Sequence, residues 1–335
     1  MAWHGRFSRS EGRVRVRILL GSLLLLCAGA GVAQDERAAF IAQTAQEFGL
    51  DEARIDSLLA DAVYQQSIID AITRPAESKP WSAYRPIFLT PARIADGRAF
   101  LAEHQAALAS VQADTGVPAE LIVAILGIET NYGRNRGRYR VLDALYTLGF
   151  HYPPRQAFFR KELGELFALA KEESLDLKTL QGSYAGAMGW GQFMPSSYRH
   201  FARDGDGDGQ RDLFASLPDV FASVANYFIR HQWQPGQPVV VRASVAADAT
   251  APAQTSYEPV FPLAELATRG IRPQTAVGAD LPASVIVLDG VEGPEHWLGF
   301  RNFYSITRYN RSPMYAMAVH QLAQELVVDA AVVAP

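Results

Sequence analysis

The chain has 335 residues, 49% of them hydrophobic and 20% charged, with a formal net charge of −4. That is enough chain to bury one large or two modest cores without covalent staples. The acidic balance argues against nucleic acid as a ligand, because such binding rests on clustered Lys and Arg; it leaves a neutral sugar strand open.

Arg6, Arg9, Arg13, Arg15 and Arg17 lead into an apolar run from Ile18 to Cys27, and small residues follow through Ala33. Basic, apolar, small is the order of a secretory signal peptide, and the run is too short to cross a bilayer comfortably. Residues 1–33 are therefore expected to be removed, after Ala30 or Ala33. Without their five arginines and one glutamate, 31 basic and 35 acidic residues fall to 26 and 34, a formal charge of −8. Cys27 is the one cysteine, so the exported chain is expected to lack thiols, which suits an oxidising compartment. The alternative is acylation of Cys27, which would make a lipoprotein; Leu26 stands where such sites carry a small residue, and argues against it.

Residues 36 to 72 read as two or three short amphipathic helices, broken at Gly49 and restarted near Asp51. Pro75, Pro80, Pro86 and Pro91 then punctuate an expected extended connector from Arg74 to Pro91. From Ala92 to His231 the pattern is helical, with long loops rich in glycine and aromatics. Val239-Val240-Val241 and Val285-Ile286-Val287-Leu288 are β-branched runs in a stretch punctuated by Pro and Gly, and predict a small strand-containing insertion. Helical character returns at Pro313 to Val328. The expected class is mainly α (α+β). Its parts are an N-terminal helical segment and connector over 34–80, a core over 81–235, a small α/β insertion over 236–300 and a return to the core over 301–335.

Val117 to Gly133 is the most informative stretch. Pro118 suits a first helical turn and Glu120 complements the positive helix start. Leu121 to Ile128 is apolar on every side, which predicts a helix buried all round, and Gly133 can end it. Glu129 is left at the last turn, with Ile125 and Leu126 one turn back and Tyr132 one turn on. Burial disfavours its charged form and the negative helix end repels it, so both effects raise its pKa. A glutamic acid that keeps its proton near neutral pH can protonate a glycosidic oxygen. The bland alternative is a helix-end glutamate that reaches solvent or pairs with Arg134.

Gly182 to Pro195 carries four glycines, which let backbone approach a ligand closely. Tyr184, Trp190 and Phe193 offer flat faces to sugar rings, and Ser183 and Gln192 offer hydrogen bonds. Further on, Asp204, Asp206 and Asp208 hold loop positions one, three and five before Gly209 at six, the front of a calcium EF-hand loop. The carbonyl of Gln210 falls at position seven, but Ala215 occupies position twelve, where a glutamate is usual; Asp219 is the next carboxylate. A solvated acidic turn is the alternative. Near the end, Arg308-Tyr309-Asn310-Arg311-Ser312 precedes Tyr315 and the last helix, and read alone is a capping turn.

Taken in order, Gly127-Ile128-Glu129-Thr130, Gly186 to Ser196 and Arg308 to Ser312 resemble the lytic murein transglycosylase B family, membrane-bound and soluble forms together. Phe150-His151-Tyr152-Pro153 and Val224 to Phe228 also look like that family, and the match runs from about Trp81 to Ala323. The resemblance implies a lysozyme-like core and Glu129 as the catalytic acid and base, and the secretory lead makes the periplasm the expected location. It implies that Ser183, Gln192, Tyr227, Tyr309, Asn310 and Tyr315 line a glycan groove, with Arg155 and Glu162 further out. Where the family tends to carry two arginines after its Tyr-Pro motif, this chain has Pro154-Arg155. The resemblance also implies an elongated EF-hand with one structural Ca²⁺ on Asp204, Asp206, Asp208, Gln210 and Asp219, and no catalytic cofactor. The expected partners are peptidoglycan strands and other cell-wall enzymes, with no nucleic acid.

Ordinary glycosidases use two carboxylates across the scissile bond, and the motifs supply one. In the implied chemistry the substrate helps: the 6-hydroxyl of N-acetylmuramic acid closes on its own anomeric carbon and leaves a 1,6-anhydro end. One rival is a muramidase that uses water, with Asp143 or Glu162 as second carboxylate. Another is a non-catalytic peptidoglycan-binding protein. Metalloprotease and serine-hydrolase readings fail, since neither His-Glu-x-x-His nor Gly-x-Ser-x-Gly occurs.

Overall fold

The computed structural model describes residues 35–74 and 79–327. The signal peptide expected over 1–33, and Cys27 within it, lie outside the described residues. The chain divides into two compact units at Asp61. In the first, helix α1 (35–48) turns at Gly49, which takes a φ of 61°, into α2 (Glu52–Asp61). Asp51 caps α2 by accepting the Arg54 amide at 2.8 Å, and Arg37 pins the two helices together through Asp56 at 2.8 Å.

The second unit begins with α3 (Gln66–Thr73), α4 (Trp81–Phe88) and α5 (Pro91–Glu103). The expected extended connector from Arg74 to Pro91 is thus corrected over its described part: Trp81–Phe88 is helix and Pro91 opens the next one. The prolines are compatible because Pro80 and Pro91 stand at helix starts, where the missing N–H has no intrahelical partner anyway. Thr90 caps α5 by accepting the Arg93 amide. Pro86 falls inside α4 and costs it a hydrogen bond, while Trp81, 1% exposed, anchors it in the core.

Next come α6 (Gln105–Thr115) and α7 (Ala119–Thr130). Every residue from Leu121 to Ile128 is buried, as an all-apolar helix demands. Helices α5 and α6 pack on α7, and strand β1 (Tyr139–Arg140) and α8 (Val141–His151) follow it. A 3-10 turn at Pro153–Arg155 leads into α9 (Gln156–Glu172), which packs on α8. Strand β2 (Gln181–Gly182) pairs with β1, a two-residue ladder that fixes where the glycine-rich loop starts. Helices α10 (Pro195–Phe201) and α11 (Leu217–Arg230) flank the acidic loop.

The insertion holds β3 (Val240–Val245), β4 (Phe261–Pro262), α12 (Leu263–Thr268), β5 (Ile271–Pro273), β6 (Pro282–Gly290) and β7 (Gly293–Gly299). Its five strands are antiparallel in the order β4-β6-β7-β3-β5, with Val285 opposite Leu298 and Leu298 opposite Val241. Ala243, Leu263, Leu266, Ile271, Val285 and Leu298 make its own small core.

The chain then returns through α13 (Arg301–Tyr309) to α14 (Pro313–Val327), which packs along α4, α5 and α7. Helix α13 escaped the sequence reading because its buried face includes Asn302, Ser305 and Thr307. Asn302 is satisfied by the backbone of Gln234 and Gln237 at 2.7–2.8 Å, so a polar side chain does the packing there.

Candidate active site

Glu129 is the penultimate residue of α7. The helix ends in a Schellman pattern, with Tyr132 N–H on the Leu126 carbonyl and Asn131 N–H on that of Gly127. Gly133 was expected to supply the turn, yet Asn131 and Tyr132 are already left-handed at φ 51° and 57°. A tyrosine there is strained, and tertiary contacts hold it. Its hydroxyl donates to the Arg93 carbonyl at 2.9 Å, and its ring fills the space where Gly97 and Gly127 lack a Cβ.

The Glu129 carboxyl accepts a hydrogen bond from the Tyr315 hydroxyl at 2.5 Å. Burial pushes its pKa up to about 7, and the Tyr315 bond opposes that by favouring the ionised form. Glu129 nevertheless keeps part of its surface open. Arg134 does not neutralise it, being paired with Asp96. Buried Tyr315 and half-buried Tyr309 have pKa values raised well above the phenol range, first by loss of hydration and next by the charge of Glu129. Tyr315 also feels Tyr84 of α4, a residue the sequence reading missed. The i, i+3, i+7 spacing of Trp81, Tyr84 and Phe88 was the available signal.

The glycine-rich loop folds as consecutive tight turns. Ser183 accepts the amides of Ala185 and Ala187 at 3.3 and 3.0 Å, which engages its lone pairs and leaves its hydrogen to donate. Gln192, left-handed at φ 51°, donates its amide to the carbonyls of Gly189 and Arg136 and keeps its own carbonyl to accept. The aromatics of this loop divide. Tyr184 is 38% exposed, but Phe193 is 3% exposed, and Trp190 packs over the end of α7, where Gly133 has no Cβ to obstruct its ring. Its indole N–H donates to the Phe214 carbonyl. The expected sugar face at Phe193 is therefore corrected to a supporting role, while half-buried Trp190 also braces the end of α7.

Tyr309 donates to the Gly191 carbonyl at 2.6 Å and lies 4.7 Å, ring to ring, from Tyr227. Tyr227 stacks on His231 at 4.2 Å, and its hydroxyl is engaged by the Arg308 carbonyl. Glu129, Tyr315, Tyr309, Tyr227 and the Gln192 loop are thus brought together. Asn310 is exposed and accepts the Ser312 amide at 3.1 Å, the geometry of a cap. Arg155 is exposed over the rings of Phe158 and Phe159. Glu162 is buried and holds Ser196, both amide and hydroxyl, at the start of α10, so it anchors the far end of the loop. Buried Asp143 accepts from the Val63 amide, Gln65 and Arg140. Neither Glu162 nor Asp143 contributes to the pKa of Glu129.

In the acidic loop, Asp204, Asp206 and Asp219 bring carboxylate oxygens within 4.8 Å of one another. Asp219, 1% exposed at the first turn of α11, also accepts the amides of Gly205 and Asp212. Hard oxygens so gathered fit a hard divalent cation. Asp208 stands outside that cluster, with its carboxylate on the Gln210 amide at 2.8 Å.

Residues 33–324 match the family model of the transglycosylase SLT domain. The chain is 39% identical over 299 residues to membrane-bound lytic murein transglycosylase B of Escherichia coli, covering 86% of this chain and 82% of the relative. It belongs to this transglycosylase family. Among solved structures, catenated lytic transglycosylase SltB1 of Pseudomonas aeruginosa superposes with a TM-score of 0.82 at 48% identity, over 87% of this chain and 96% of that one. E. coli lytic transglycosylase Slt35 in complex with calcium gives 0.78 at 39%, over 87% and 92%. P. aeruginosa SltB3 in complex with NAG-anhNAM-pentapeptide gives 0.76 at 31%, over 88% and 79%. The helical core of this transglycosylase is accordingly of the lysozyme-like kind.

Proposed function

We propose that Glu129 is the single acid and base with which this lytic transglycosylase cleaves peptidoglycan between N-acetylmuramic acid and N-acetylglucosamine. The carrying observation is a carboxyl pushed up to about 7 by burial, beside buried Tyr315 and half-buried Tyr309, with no second carboxylate among the described residues acting on it. At neutral pH a large share of Glu129 bears the proton that the glycosidic oxygen needs as its bond to the anomeric carbon breaks. The carboxylate so formed takes the proton of the muramic 6-hydroxyl as that oxygen bonds to the anomeric carbon. The proton lost in the first step is regained in the second, and no water is consumed. Asp143 and Glu162 are both committed to structural hydrogen bonds, which speaks against the water-using muramidase.

Ser183 with its free hydrogen, Gln192 with its free carbonyl, and exposed Asn310 are suited to hold sugar hydroxyl and N-acetyl groups in the groove. Tyr227, Tyr309 and Tyr315 form its wall and exposed Arg155 belongs further out, while Glu162, expected there as well, is buried on Ser196 and supports the loop from behind. The acidic loop is suited to one Ca²⁺ through Asp204, Asp206 and Asp219, with Asp208 and the Gln210 carbonyl completing an elongated EF-hand. Its role is structural; calcium in a solved relative supports the choice of ion. The Arg-rich lead and apolar run support export to the periplasm, with the acylated Cys27 form as the alternative that intact mass would reveal. The segments 34–80, 81–235, 236–300 and 301–335 are our division of the exported chain.

Glu129→Gln tests the central role. It keeps the shape and removes the transferable proton, so the protein should fold and lose at least about 10²–10⁴-fold in activity on purified sacculi. Activity near the wild-type level in Glu129→Gln would remove Glu129 from the mechanism.

A further inference from the structure

Glu129 is followed by a threonine that the chemistry itself does not call for. Thr130 is 1% exposed. Its hydroxyl lies 3.1 Å from the Leu126 carbonyl, the local bond any helical threonine can make. It also lies 3.0 Å from the carbonyl of Trp190, sixty positions along the chain, and accepts the Gly133 amide at 3.0 Å. The next carbonyl of the same loop, that of Gly191, accepts the Tyr309 hydroxyl at 2.6 Å. Two successive carbonyls are thus gripped from two sides. One grip comes from the residue bonded to Glu129, the other from the tyrosine whose ring feels the charge of Glu129.

The contacts run in series from Glu129 to Thr130 through the chain, from Thr130 to Trp190, and from Gly191 to Tyr309, whose phenol lies near enough to feel the charge of Glu129. The loop segment of that series has its own footing. The Trp190 amide donates to the Leu213 carbonyl, and its indole to that of Phe214. The Glu129 carboxyl sits on the last turn of α7, so a shift of that turn relative to the loop carries the carboxyl with it.

We infer that Thr130 is a positioning residue for the transglycosylase reaction, transmitting the fixed position of the Trp190 loop to the end of α7 so that the Glu129 carboxyl stays beside Tyr315 and Tyr309. The inference rests on the reading of Glu129 as the acid and base. Misplacing a reacting group by about an ångström can cost on the order of 10²-fold.

The test compares Thr130→Val, which keeps the branched shape and removes the hydroxyl, with Thr130→Ser, which keeps the hydroxyl. Thr130→Val should lower kcat by about tenfold to a hundredfold with KM little changed. It should also move the alkaline limb of the kcat/KM profile to lower pH, because a loosened pocket admits water to the carboxyl. Thr130→Ser should restore both. Tyr309→Phe breaks the series at its other end, should move the limb in the same direction, and keeps the question open to measurement if Thr130→Val does not fold. An unmoved limb in these variants, with activity falling only as melting temperature falls, overturns the inference. If Glu129→Gln is inactive in that case, the assignment of Glu129 survives alone; if Glu129→Gln is active, both fail.

Discussion

At Glu129 two effects oppose each other, and their balance has a cost that can be measured. Burial lifts the carboxyl to about 7, while the Tyr315 hydroxyl holds it down. In the unfolded chain the same carboxyl titrates near 4.5. A carboxyl whose pKa rises on folding costs nothing below its unfolded value. Stability is lost as pH climbs from about 4.5, and the full loss is reached above about 7. Glu129→Gln removes that ionisation. Denaturant unfolding should therefore show wild type and variant equally stable at about pH 4, and the variant more stable at about pH 8, by on the order of 1–3 kcal/mol after allowance for partial exposure. A difference independent of pH would mean that the carboxyl is not held protonated. That the carboxyl would be buried and its pKa raised was legible in the run Leu121–Ile128. That Tyr315 would be its partner was not legible from spacing, because 186 positions separate them; only family resemblance pointed there.

Among the elements, the end of α7, the glycine-rich loop and the acidic loop form one connected piece. Leu213 and Phe214, on the C-terminal side of the acidic loop, supply the carbonyls that hold Trp190. Asp219 ties that same arm to α11 through the Asp212 amide. Three carboxylates in one place repel one another until a cation joins them, so the loop should tighten when calcium binds. Binding to the native state raises stability with ligand concentration. Melting temperature should thus rise with calcium after chelation, and Asp206→Ala should abolish the rise. A melting curve indifferent to calcium would leave an acidic turn. The acidic spacing and the glycines were legible in the sequence, but Phe193 was misjudged as a sugar platform. Composition reveals which residues have flat faces; it does not reveal which faces are already covered. Helix α4 was misread for a related reason, since prolines mark helix starts as readily as extended chain.

Over the whole molecule, α4, α7, α13 and α14 carry Tyr84, Glu129, Tyr309 and Tyr315, so the site draws on both ends of the second unit. The small sheet is inserted between α11 and α13 with a core of its own, and its β-branched runs were legible as such. Helix α13 was not, because its buried face satisfies polar groups by hydrogen bonds that no periodicity records. One carboxyl serving both half-steps needs the substrate to supply the nucleophile, and the product records which nucleophile attacked. Mass spectrometry of the muropeptides released from purified sacculi is the most direct measurement of that claim. Wild-type digests should carry 1,6-anhydromuramyl ends, one water lighter than hydrolysis products, and Glu129→Gln digests none; reducing muramic ends from the wild type would contradict catalysis by one carboxyl.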